Sequence, residues 1–263
     1  MARLQTKTSR PITIAIAAMG GQGGGVLSSW IVALAENAGY IAQTTSVPGV
    51  AQRTGATVYY QELFPRAAAE KAGQEPVMAL MPAPGDVDVV IAGELVEAGR
   101  SLMRGIITPD RTTLITSSHR DYALVEKMHL GDGRADSEKM LEAVCAAARN
   151  FISFDMAAVA EDSGSVISSV MFGALCGSSA LPFEREQFEE TIRASGVAVN
   201  ANLVGFAAGY NAALGSEETA VEAVVREQPN HPEVMALLNR VAEFPEATRK
   251  NITEGVRRLI DYQ

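Results

Sequence analysis

The stretch Ile12-Thr13-Ile14-Ala15-Ile16-Ala17-Ala18-Met19-Gly20-Gly21-Gln22-Gly23-Gly24-Gly25 decides the fold. An apolar, β-branched run of strand length meets five glycines. Val26, Leu27, Trp30, Ile31, Leu34 and Ala38 then recur three or four apart, the period of one buried helix face. Strand, glycine turn and helix form the opening unit of a doubly wound α/β sheet, in which glycines let the backbone approach whatever sits at the helix N-terminus. The peptide dipoles favour an anionic or electron-rich group there.

The turn specifies fold more than function. As G-x-G-x-x-G it has Ala18 in the first position and Gly20 and Gly23 in the others. A dinucleotide site carries an acidic residue about 20 positions further on, for the ribose hydroxyls. The second strand, Ile41 to Val47, instead ends in Thr44, Thr45 and Ser46. Gly25 is followed by Val26 and Leu27, so the Lys-Ser/Thr of a phosphate-binding loop is missing too. NAD binding is therefore a minority reading. Tight strand–helix packing accounts for two or three of the five glycines, not for all of them beside a buried-looking Gln22.

After the second strand comes Ser46-Val47-Pro48-Gly49-Val50-Ala51-Gln52-Arg53-Thr54-Gly55, then an alternating strand from Ala56 to Phe64. With Gly20-Gly21-Gln22-Gly23, this segment resembles the gamma domain of the 2-oxoacid:ferredoxin oxidoreductases, most closely the indolepyruvate type. That family has G-x-G-G-Q-G at the turn and Ser-x-x-x-Gly-x-x-Gln-Arg-x-Gly after the second strand. Both match except at Ala18. The resemblance continues through Asp88 to Arg100, Ser165 to Cys176 and Asn202 to Tyr210. It implies a Rossmann-like gamma-type domain over residues 1–215 and a helical extension over 216–263, ending mid-helix at Arg257 to Gln263 as a truncated piece or a short member would.

The resemblance also implies an activity: oxidative decarboxylation of an aryl pyruvate to its acyl-coenzyme A, with electrons passing to ferredoxin. Thiamine diphosphate, magnesium and the iron–sulfur clusters are expected in a partner chain, with coenzyme A as co-substrate. The cleft shared with that chain is expected to involve Gly20, Gly21, Gln22, Gly23, Ser46, Gly49, Gln52, Arg53 and Gly55. Arg53 suits a substrate carboxylate, a coenzyme A phosphate or an inter-subunit ion pair. A free-standing Rossmann-like nucleotide- or flavin-binding module and a non-catalytic structural subunit are the alternatives.

Composition agrees with a protein partner. A chain of 263 residues can bury roughly three-quarters of its unfolded surface. A net charge of −9 argues against nucleic acid and anionic membranes. Residues 216–263 carry 9 acidic and 6 basic side chains, so no strongly charged tail exists. Two cysteines, Cys145 and Cys176, fit a reducing compartment and fall short of the four thiolates an iron–sulfur cluster needs. Without an apolar leader after Arg3, Lys7 and Arg10, and without a run long enough to span a bilayer, the expected home is the cytoplasm.

The remaining motifs rank lower. Pro65 to Pro84 reads as a loop or a short edge excursion, and Val87 to Ala92 as a central strand. The helix after it begins Gly93-Glu94-Leu95-Val96-Glu97, where Glu94 and Glu97 are either a carboxylate pair on one face or acids complementing the helix dipole. His119 follows the strand Thr112 to Ser118, either as a catalyst or as a hydrogen-bonded structural residue; His129 and His231 read as exposed. Gly131-Asp132-Gly133 resembles the opening of a thiamine-diphosphate motif but lacks its preceding apolar strand and its downstream asparagine pair, so it reads as a polar turn. Cys145 reads as core. No spacing suggests a zinc or iron site, and no serine-hydrolase elbow is present. The helix Ser165 to Cys176 is almost uncharged; a sheet covers one of its faces, which leaves the other for a partner or a second copy, and a homo-oligomer is expected of the isolated chain.

Overall fold

The computed structural model describes residues 10–47, 57–122, 126, 128, 133–215, 232–245, 248, 249, 252, 253 and 256. In Ile12–Ala18 (β1) every residue is buried. Ile14 and Ile16 point into one core and Ala15 into another, which is why this strand is apolar on both faces. Five further strands join it: Tyr40–Val47 (β2), Thr57–Pro65 (β3), Val89–Ala92 (β4), Thr113–Ser117 (β5) and Asn150–Phe154 (β6). The sheet order is β2-β3-β1-β4-β5-β6. From β1 to β6 the strands are parallel, whereas β3 runs antiparallel to both β1 and β2.

The doubly wound expectation holds, with one qualification: β3 separates β2 from β1. Alternation in residues 56–64 gives a strand but says nothing of its direction or neighbours. The stretch after Pro65 also differs from expectation. Arg66–Ala72 is a helix (α2), since an Ala-rich run after a proline favours that state. Gly73, with φ of 66°, ends it.

Gly24–Asn37 (α1) crosses from β1 to β2 with Leu27, Trp30, Ile31 and Leu34 inward. Val26 is half exposed rather than part of that face. Its place is taken by Ser28, which is buried because Gln61 Nε2 donates to its carbonyl (2.7 Å) and its hydroxyl contacts Thr44 (3.0 Å). Leu95–Met103 (α3) and Ser137–Ala147 (α4) cover the opposite face through Leu95, Ala98 and Val144.

Four helices complete the first face: Met156–Asp162 (α5), Ile167–Gly177 (α6), Arg185–Ser195 (α7) and Val199–Gly215 (α8). Pro232–Arg240 (α9) follows. Trp30, Phe172, Phe188 and Phe206 meet where α1, α6, α7 and α8 converge, with Phe172 4.8 Å from Phe188 between ring centroids.

The expectation that α6 keeps a face for a second copy loses its ground. α6 is enclosed by α8, α5, α1, α7 and β5 of its own chain. Glycines make this possible: a Cβ on Gly173 would overlap the Phe206 carbonyl oxygen, and one on Gly209 the Val170 carbonyl oxygen. The open-ended segment 257–263 lies outside the described residues.

Among the described residues no helix is long and apolar enough to cross a membrane. At the amino edge of the sheet, buried Asp88 accepts from Arg10 Nη2, Arg111 Nε and the Thr13 amide, each at 2.9 Å. Burial, with the Arg10 charge adding to it, lowers the Arg111 guanidinium to about 10. This cluster fastens the edge opposite to the one that carries the candidate site.

Candidate functional site

β1 and β4 are neighbours whose following helices leave for opposite faces of the sheet. Such a divergence opens a crevice at the carboxyl ends of the strands, where open α/β sheets bind ligands. Three turns meet there: Met19–Gly23 after β1, Gly93–Glu94 after β4 and Ser118–Asp121 after β5.

The first turn is locked by Gln22. Its backbone N–H donates to Met19 O (3.1 Å), and its side-chain Oε1 accepts from the Met19 N–H (2.9 Å). Nε2 donates across the crevice to Asp121 Oδ2 (3.2 Å). Gln22 is buried, as its sequence context suggested. The glycines divide into two groups. Gly23, at φ of 67°, and Gly24 are needed for packing: an added Cβ would come within 2.8 Å of Ser168 Oγ in the first case and of Tyr59 Cε2 in the second. Gly20 and Gly21 are exposed, and a Cβ on either meets nothing within 4 Å. Gly21 has φ of 92°, a backbone state favouring glycine. Behind them α1 begins without a side-chain cap and without an acid in its first turn. Its uncapped N-terminus and these two bare peptides suit an anion that approaches from outside the chain.

Glu94 and Glu97 share the start of α3 but do not form an open carboxylate pair. Glu94 is the N-cap: its carboxylate accepts from the N–H groups of Val96 and Glu97, both at 2.9 Å. Burial, with the Glu97 charge adding to it, raises its pKa, while those backbone bonds hold it down. Glu97 is buried and paired with Arg100. Replacing Glu94 with Ala strips the cap and is expected to cost about 1–2 kcal/mol, read as a lower denaturant midpoint. The raised pKa has its own signature. Glu94 holds its proton more tightly folded than unfolded, so its contribution falls as pH rises above the ordinary glutamate range.

His119 lies at the same edge. Its Nδ1 is 2.7 Å from Ser117 Oγ, which also accepts from the Met156 N–H (3.0 Å). With that oxygen already accepting, its hydrogen is available to Nδ1, and Nε2 faces Asp121 Oδ2 at 3.8 Å. The His119 carbonyl accepts from the Leu95 N–H (3.2 Å). These contacts fit the structural reading of His119. Cys176 is no better placed for chemistry, since burial pushes its thiol up to about 12.

Ser46 is exposed at the end of β2, level with Ile16 but two strands from β1. That distance is about 10 Å. Gly49, Gln52, Arg53 and Gly55 lie outside the described residues, as do Gly131 and Asp132 of the polar-turn motif, His129 and His231. The residues flanking 48–56 are described: β2 ends at Val47, and β3 begins at Thr57, which pairs with Ala18 beside the glycine turn. Sequence reasoning missed Asp121 and Gly93. Asp121 lies in a polar stretch with no motif, and Gly93 becomes informative only once Gln22 Oε1 is seen above it.

The sheet and its carboxyl-edge crevice define an open α/β domain of the kind found in oxoacid oxidoreductase gamma subunits. The chain aligns with a pyruvate oxidoreductase subunit of Thermotoga maritima (TM-score 0.52, 18% identity, 77% of this chain and 96% of that one). A keto/oxoacid ferredoxin oxidoreductase gamma subunit of Geobacter sulfurreducens gives a TM-score of 0.51 at 16% identity, over 78% and 99% of the two chains. The 2-oxoglutarate:ferredoxin oxidoreductase of Magnetococcus marinus matches 97% of this chain with 42% of its own, at a TM-score of 0.55 and 15% identity.

The chain belongs to the pyruvate ferredoxin/flavodoxin oxidoreductase family, whose model matches residues 13–212. It is similar to the indolepyruvate oxidoreductase subunit IorB of Pyrococcus horikoshii, 28% identical over 206 residues that cover 76% of this chain and 95% of that one.

Proposed function

We propose that this chain is the gamma-type subunit of an indolepyruvate or related aryl-pyruvate:ferredoxin oxidoreductase, working in the cytoplasm beside a larger catalytic chain. The overall reaction takes a 2-oxoacid and coenzyme A to acyl-coenzyme A and carbon dioxide, and two electrons go to ferredoxin. Thiamine diphosphate and magnesium in the partner supply the decarboxylation chemistry, and iron–sulfur clusters there carry the electrons. Residues 1–215 are the gamma-type domain and 216–263 its helical extension. Family membership supports the reaction class, and the likeness to a subunit named for indolepyruvate supports the substrate.

The single observation that carries a role for this chain is the pair of bare peptides at Gly20 and Gly21, open to solvent in front of an uncapped helix N-terminus. β2 ends at Val47 and β3 begins at Thr57, which pairs with Ala18 beside that turn; by the family motif we assign the intervening Gly49, Gln52, Arg53 and Gly55 to the same cleft. An anionic group of coenzyme A or of the 2-oxoacid is the ligand these elements suit.

The test separates cofactor binding from cleft building. The isolated chain is expected to give no heat of binding with thiamine diphosphate and no 2-oxoacid-dependent dye reduction. Micromolar thiamine diphosphate affinity in isothermal titration of the chain alone would place the cofactor here instead.

A further inference from the structure

Asp121 is more than half exposed, yet it accepts the only side-chain hydrogen bond described between the turns after β1 and β5. The donor, Gln22, also engages Met19 through its backbone N–H and its Oε1, so that the Met19 carbonyl and N–H are both tied to this one residue. Between the two turns lies Gly93, whose N–H donates to Ala17 O (2.9 Å). A Cβ at Gly93 would overlap Gln22 Oε1. The missing side chain at 93 thus leaves room for the Gln22 amide, whose Nε2 donates to Asp121. On the far side, His119 Nε2 faces the same Asp121 oxygen at 3.8 Å and is braced by Ser117.

We propose that Asp121 is a positioning residue for the glycine turn: through Gln22 it fixes Gly20 and Gly21 in the conformation that leaves their peptides open. A Cβ on Gly20 or Gly21 would meet nothing within 4 Å, so no side chain braces the turn from that side, and the positive φ at Gly21 is one of several backbone states open to a glycine. The amide of Gln22 supplies the restraint from behind, and Asp121 keeps that amide in a single orientation. This assignment rests on the glycine turn lining the cleft, as proposed above, only in its consequence for turnover. The latch itself is a property of the chain alone.

The test exploits the direction of the bond. Gln22→Glu sets a second carboxylate against Asp121 and should release the turn. Asp121→Asn in that background returns a donor facing an acceptor, with the polarity reversed, and should close it again. Asp121→Asn alone keeps an acceptor for Gln22 Nε2 and should be mild. Hydrogen exchange at the Met19 amide of the folded chain reads the latch directly: roughly tenfold faster in Gln22→Glu and restored in the double variant. In the complex with the catalytic chain, kcat/KM for indolepyruvate and coenzyme A with methyl viologen as acceptor should fall on the order of 10- to 100-fold in Gln22→Glu and recover in the double variant. Unchanged Met19 exchange in Gln22→Glu, or no recovery on adding Asp121→Asn, overturns the latch. The exchange pattern as expected with turnover unmoved throughout supports the latch and overturns the turn's place in the cleft, so the two failures are distinguishable.

Discussion

Gly209→Val is expected to lower the stability of the chain by about 3 kcal/mol or more, because overpacking here sets a side chain against backbone. A Cβ at Gly209 already overlaps the Val170 carbonyl oxygen and lies 2.8 Å from its carbonyl carbon. Neither atom can turn aside as a side chain would, so α6 and α8 must separate. Separation would loosen the Phe172–Phe206 contact and with it the packing of both rings against Phe188 of α7. For a chain of this size the cost corresponds to a fall in melting temperature of about 10 °C. Val204→Ala, on the exposed side of α8, should stay within about 0.5 kcal/mol. A Gly209→Val protein that melts with the wild type would mean that α6 and α8 are not in backbone contact.

The second large effect is expected in activity with the fold untouched. Gly20→Leu adds a side chain where nothing in this chain lies within 4 Å, and Gly20 is not among the residues with positive φ. Its melting temperature should match the wild type. If the bare peptide at Gly20 faces the shared cleft, an isobutyl group there displaces whatever approaches, and turnover of the assembled enzyme should fall on the order of 100-fold. Gly21→Val is less clean, since a β-branched residue at φ of 92° adds strain of about 1–3 kcal/mol to any effect on the site. Full activity in Gly20→Leu would remove this turn from the cleft.

The strand–glycine–helix opening was legible because a continuous apolar, β-branched run of strand length and a helical period of three to four meet at an abrupt glycine run. The apolar central strands were legible for the same reason: only a sheet covered on both faces tolerates Val89-Val90-Ile91-Ala92. What escaped was pairwise. Nothing in Thr57 to Pro65 tells that this strand inserts antiparallel between β1 and β2, since direction is set by which strands it meets. The α6–α8 seam was half visible. Gly173 and Gly177, like Gly205 and Gly209, are four apart, the spacing of one helix face. In α8 Leu203, Phe206, Ala207 and Tyr210 recur at helical spacing, yet the buried residues are Asn202, Gly205, Phe206, Gly209 and Ala213, because close approach buries the small side. At the candidate site the local part, Gly20 to Gly23, could be read from sequence. Its partner Asp121 is 99 positions away, a distance no local pattern spans.

The most direct test of the account is reconstitution. The catalytic chain is assayed with and without this one for indolepyruvate- and coenzyme A-dependent reduction of ferredoxin. Turnover is expected to require both chains; wild type should restore it, and Gly20→Leu should assemble but restore on the order of one hundredth. A catalytic chain that turns over at the full rate by itself would contradict it.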